Sequence, residues 1–285
     1  MRRLHETVDL DHWIGVFPLA SVDDVNWPIE VSSPRDLAFL EQVRRMARSE
    51  DIDLGESVPV DMFLWRLGTP SHDRGHVTKI GDVPYRDRDK PWPLGDDGHP
   101  LTFIGQICFA DSRDLLRHEL PGDVLLLFAR YQCQDVFDYE GSALEWSRIG
   151  EVRPARCVTD CPASGILPVA YEGVIHRTVQ YPWADEAYPF CNGGGDATAF
   201  QIGSRCALPQ GWNWETGDDP LLCVFNSFRP STEWPFVNCE RLAERIGAAG
   251  NRYRDNVYHL DIVGGYCMYV WVHESGEFRL RSEFA

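Results

Sequence analysis

The sequence predicts an α+β fold, β-rich, with mainly antiparallel sheets built from an internal duplication and a few peripheral helices. Three observations predict it. Short apolar runs recur at 101–110, 123–131, 221–225 and 265–273, the first of them with the β-branched Thr102, Ile104 and Ile107, and turn-forming residues lie near them. The order loop, strand, short helix, strand occurs twice along the chain. One segment near the start carries apolar residues at helical spacing, and a second, 239–249, ends on Gly250.

The elements follow in order. Residues 1–70 read as an N-terminal extension with one amphipathic helix. Ser33 caps it, Pro34 fills its first position and Asp36 lies near the positive end of its dipole. Leu37, Leu40, Val43, Met46 and Ala47 then form one stripe, with Glu41, Arg44, Arg45 and Arg48 facing away. From 66 to 100 the chain is a long loop, because Pro84, Pro91, Pro93, Gly95, Gly98 and Pro100 break any regular period. A strand over 101–110, a helical turn near 112–118 and a strand over 123–131 follow. Further on, 191–195 and 211–220 are turn-rich, and the strands 221–225 and 265–273 flank the helix 239–249.

The repeat is visible residue by residue. Ile80-Gly81 and Trp92 match Ile202-Gly203 and Trp214 at a constant offset, and Pro100-Leu101 answers Pro220-Leu221 after a two-residue slip. Val124 to Phe128 after Gly122 resembles Tyr266 to Val270 after Gly264. Residues 71–285 therefore read as one duplicated domain, with pseudo-repeats at about 76–150 and 198–285.

Three strings in the first repeat resemble a family pattern: Lys79-Ile80-Gly81-Asp82-Val83-Pro84, Pro91-Trp92-Pro93, and Gly98-His99-Pro100-Leu101-Thr102-Phe103-Ile104-Gly105-Gln106-Ile107. In order and spacing they are similar to the signature of the bacterial YwqG-like family. Phe200-Gln201-Ile202-Gly203-Ser204 resembles a second copy of the first string, Pro209-Gln210 a following motif, and Val263 to Val270 a C-terminal strand. Asp82 and Ser204 stand where the family pattern has glycine, and Gln201 where it has a second lysine. The resemblance covers about 76–285 and implies a β-rich α+β fold. The family brings no established activity, and some relatives occur in settings suggestive of bacterial toxin and immunity systems.

Composition narrows function. With 44% apolar and 12% aromatic residues the chain has the means to fold, and no apolar run approaches the roughly 20 residues that span a bilayer. The opening residues show no signal peptide, which predicts a cytoplasmic protein. A formal charge of −17 repels nucleic acid and anionic lipid and suits a basic protein partner. Nine cysteines sit mostly in apolar stretches and predict buried thiols; Cys157 and Cys161 lack a second pair at zinc spacing. His72 and His76 flank Asp73 at four-residue spacing but Pro70, Ser71 and Gly75 make that segment a loop, Asn192 to Asp196 lacks strand and lysine context for a phosphate, and 95–98 departs from calcium-loop spacing. No metal, no cofactor and no nucleophile with a partnering base is predicted.

The candidate binding residues are Trp92, Trp212 and Trp214, large rings on irregular segments, with Gln106, Glu145 and Trp146. The leading expectation is a non-catalytic acidic protein that sequesters a basic partner. The alternative is an enzyme or sensor that holds a small polar ligand between the repeats, where Gln106, Glu145 and Trp146 meet the second half.

Overall fold

The computed structural model describes residues 58–68, 70–71, 74–116, 119–132, 135–136, 141–152, 170–180, 200–203, 221–227, 236–237, 261–262, 267–272 and 277–283. In chain order the strands are β1 (Val58–Leu67), β2 (Lys79–Ile80), β3 (Thr102–Cys108), β4 (Val124–Ala129), β5 (Tyr131–Gln132), β6 (Asp135–Val136) and β7 (Ala143–Ser147). They continue with β8 (Tyr171–Gln180), β9 (Gln201–Ile202), β10 (Leu221–Asn226), β11 (Phe236–Val237), β12 (Asp261–Ile262), β13 (Cys267–Val272) and β14 (Phe278–Glu283).

Eleven strands form one sheet along the path β14-β13-β10-β9-β1-β8-β2-β3-β4-β7, with β11 added in parallel to β1. Every neighbour on that path is antiparallel. A small second sheet runs β12-β6-β5.

This corrects the α+β expectation. The described residues are strands and turns with no α-helix, and the helical turn expected at 112–118 is only a three-residue 3-10 turn, Arg113–Leu115. Ser112 makes no side-chain cap there and the turn buries no residue, so nothing extends it into a helix. The helices expected after Ser33 and at 239–249 lie outside the described residues. β1, within the residues expected as an N-terminal extension, lies between β9 and β8 in the middle of the sheet.

The sheet reads alike outward from its central pair. From β8 come β2, β3, β4 and β7; from β1 come β9, β10, β13 and β14. Details of register repeat as well. Ile80 pairs Gly105 and Ile202 pairs Cys223, and a bulge falls just before each partner, between Phe103 and Gly105 and between Leu221 and Cys223. Gly81 and Gly203 then turn out of their strands at φ of 73° and 72°. Their N–H groups donate to the bulged Ile104 and Leu222 carbonyls at 3.1 and 3.0 Å.

Beyond those glycines the register departs from the sequence match. Phe103, not Leu101, takes the place of Leu221, and Leu126 corresponds to Tyr269, one residue away from its sequence match Met268. In a strand that single step exchanges the faces: Leu126 and Tyr269 face outward while Met268 belongs to the main core.

The main core lies on one face. Phe63 and Trp65 of β1, Leu125 and Leu127 of β4, Phe225 of β10 and Met268 and Val270 of β13 join Phe109 and Phe200 in a single cluster. Each such side chain, fully buried, contributes about 1.5–3 kcal/mol. Half-buried Trp146 on β7 and Phe278 on β14 pack on the same cluster, with ring centroids 5.1 Å apart. These residues belong to the two ends of the strand path, so the sheet curls until its ends meet through side chains.

That contact is testable. Trp146→Ala should cost about 3 kcal/mol in urea unfolding, and a double-mutant cycle with Phe278→Ala should show about 0.5–1.5 kcal/mol of coupling. Strictly additive losses would mean the ends are held apart from this pair.

Candidate functional site

The outward face of the first half carries a line of polar residues. Arg66 of β1 is opposite Glu172 of β8, Glu172 opposite Lys79 of β2, and Lys79 opposite Gln106 of β3. Gln106 is opposite Leu126 of β4, which is opposite Glu145 of β7. Strand alternation places these side chains away from the main core, whose members include their neighbours Trp65, Tyr171, Ile80, Ile107, Leu125 and Leu127. The stretches on either side of β2, within 74–78 and 81–101, contact this line through Gly75, Val77, Asp82, Tyr85, Arg86 and Lys90.

Each member of the line holds something. The buried Glu172 carboxylate meets Arg66 Nη2 at 2.6 Å through Oε2 and Arg74 Nη2 at 2.5 Å through Oε1. The first is an aligned hydrogen bond; the second is a charge contact without hydrogen-bond alignment. Lys79, only 2% exposed, pairs with Asp82 Oδ2 at 3.2 Å. Asp82 sits at φ 62°, a conformation few side chains adopt, where aspartate is among the better tolerated residues. Its carboxylate there answers the buried ammonium, which offsets the backbone cost.

Gln106 is fully buried and uses its whole amide. Nε2 donates to the Gly75 and Val77 carbonyls at 2.9 and 2.7 Å, and Oε1 accepts from the Tyr85 N–H at 2.9 Å. At the far end Glu145 accepts from Arg86 Nη2 at 3.0 Å and Lys90 Nζ at 3.2 Å. The Arg86 guanidinium, buried, also donates to the Lys90 and Pro91 carbonyls and lies 5.2 Å from the Trp92 ring centre. Trp92 packs edge-on against Phe128 and donates to the Leu101 carbonyl at 2.7 Å.

Three of the expected binding residues, Trp92, Gln106 and Glu145, thus share the outward face, where they pin the 74–101 segment. Trp146 is on the opposite face of β7, against Phe109 and Phe278. The adjacent pair Glu145 and Trp146 cannot converge on one ligand, because consecutive strand residues point to opposite sides. Trp212 and Trp214 lie outside the described residues. Arg66, Arg74, Lys79, Arg86 and Glu172 complete the arrangement and were not singled out. The one signal for any of them was lysine scarcity, since Lys79 and Lys90 are the chain's only lysines.

Other candidates resolve into turns and buried thiols. Asp97 accepts the His99 N–H and pairs with Arg130 Nη2 at 2.5 Å, which together hold its carboxyl below the usual range. Burial pushes the Cys108 thiol up to about 11 and raises Cys223 as well. Among the described residues no group of three or more His, Cys, Asp or Glu is placed to hold a metal ion. No helix among them is long and apolar enough to cross a membrane. No protein-family model and no curated protein matches the chain.

Chemically, the outward line is an ion-paired brace. Replacing Gln106 by Leu should strand two carbonyls and one N–H in a buried site and cost about 3 kcal/mol or more in denaturant unfolding. Limited proteolysis should then cut within 74–86. Unchanged stability and cleavage would show that Gln106 does not anchor this segment. At pH 8 the raised thiol values keep Cys108 and Cys223 protonated, so peptide mapping should find both unalkylated in native protein and alkylated after unfolding.

Proposed function

We propose that the chain is a non-catalytic binding protein, YwqG-like in its Ile80-Gly81 and Trp92 segments, whose acidic surface takes a basic protein partner. The observation that carries this reading is the charge of −17, drawn from 44 carboxylates against 27 bases. Such a field raises the local concentration of a cationic surface and speeds encounter. The geometry of the polar line supports it too. Glu145 and Glu172 are each engaged by two cations, and the Gln106 amide is spent on backbone groups. Their arrangement favours holding a loop over attacking a reactant.

Capture from lysate at low and at moderate salt tests the reading. Recovered partners should be basic, and their yield should fall as the screening length shortens to about 8 Å at physiological ionic strength. Recovery of mainly acidic partners, or yields indifferent to salt, would count against it.

A further inference from the structure

We infer that each half of the sheet is completed by the other half's opening strand, and that two copies of this chain folding together exchange halves into an intertwined dimer. This goes beyond the basic-partner reading, since the partner is a second acidic chain.

The halves are related by a local twofold at the β1–β8 ribbon. Ile80 of β2 pairs Tyr171 and Lys79 pairs Glu172, while Ile202 of β9 pairs Asp61 and Gln201 pairs Met62. Matching Ile80 to Ile202 therefore makes Glu172 the counterpart of Met62. Two positions further along each strand, Val174 becomes the counterpart of Leu64, and those two residues pair with each other. A residue faces its own counterpart only on a twofold axis. Hydrogen bonds obey the same relation: Gly173 N–H donates to the Thr78 carbonyl at 2.8 Å, and its equivalent, Phe63 N–H, to the Phe200 carbonyl at 3.1 Å.

Chain order shows what that axis does. In sequence, β1 precedes β2, β3, β4 and β7, and β8 precedes β9, β10, β13 and β14. In the sheet the opening strands have changed sides: β1 lies beside β9, and β8 beside β2. Each half thus lacks a strand that the other supplies, and β2 and β9, at two residues each, are too short to hold a sheet edge by themselves.

Nothing in these pairings requires both halves to come from one chain. A dimer in which the first half of each copy meets the second half of the other keeps every pairing of the ribbon. The stretch 148–170 between β7 and β8 has a contour length of about 75 Å, long against the roughly 30 Å width of a small domain. Such a linker gives closure within one chain an effective concentration on the order of millimolar, so exchanged dimers should be on the order of a tenth of the protein refolded at about 100 µM. Two copies at −17 each repel, so added salt should raise the yield, the reverse of its effect on a basic partner.

Leu64→Cys combined with Val174→Cys sets two thiols opposite each other on the axis, at a spacing that suits a disulfide. Light and nitrogen-15-labelled forms of this double variant are unfolded together in urea, refolded at about 10 and about 100 µM, oxidised and digested. Disulfides joining a light residue-64 peptide to a heavy residue-174 peptide should appear, about tenfold more abundant at the higher concentration. The unaltered chain gives a second measurement that needs no substitution. Native mass spectrometry should find light–heavy dimers after joint refolding and none after mixing folded protein. Same-isotope disulfides alone at both concentrations, no dimer from the unaltered chain, or mixed dimers formed equally by mixing folded protein would overturn the inference.

Discussion

Ten residue pairs, from Val58 with Gln180 to Leu67 with Tyr171, join β1 to β8, and the large sheet is added outward from that ribbon. The partners are more than a hundred positions apart, so a long loop must close before any of these bonds form. β2 and β9, only two residues each, have little pairing of their own and owe their place to the ribbon. Phe63 N–H donates to the Phe200 carbonyl and Gly173 N–H to the Thr78 carbonyl, bonds that carry the short strands onto opposite sides of it. Gly173 is there for space. A Cβ at that position would lie 3.0 Å from both Trp65 and Thr78. Such a chain should fold slowly, since its pairings are dominated by distant residues.

The two sides of the ribbon share a backbone plan and differ in chemistry. Outward from β8 runs the line Glu172, Lys79, Gln106, Leu126 and Glu145; the corresponding positions outward from β1 are Met62, Gln201, Val224, Tyr269 and Arg281. Val224 and Tyr269 join Leu221 and Trp271 in an apolar cluster where the first half has Gln106. A common frame thus bears a polar brace on one side and a hydrophobic patch on the other. Any activity must be sought in those side chains, because the frame alone is neutral about it.

How much of this was legible follows from the faces. β3, β4, β10 and β13 were visible because they are buried on both faces and mostly apolar, with Gln106 the polar member on the outward face of β3. β1 and β8 were not. Asp61, Arg66, Glu172 and Gly173 interrupt them, and their burial depends on partners far away in sequence. Gln106, Glu145 and Trp92 could be suspected as polar or aromatic residues beside strands. Arg66, Arg74 and Arg86 could not, since they are three among 25 arginines and only the fold sets them against Glu172 and Glu145. Glu145 and Trp146 are adjacent in sequence, yet strand alternation puts their side chains on opposite faces of β7.

Lys90 has one further effect. Its Nζ lies 3.4 Å from the Trp146 carbonyl as well as against Glu145, so a charged side chain sits over the backbone at the end strand β7. An ammonium in that place deters another chain from adding a strand there. Lys79 is buried, so Lys90 is also the one accessible lysine among two. Acylation or crosslinking directed at lysine side chains therefore has a single address on this protein, and neutralising it would remove the guard from β7 in the same step.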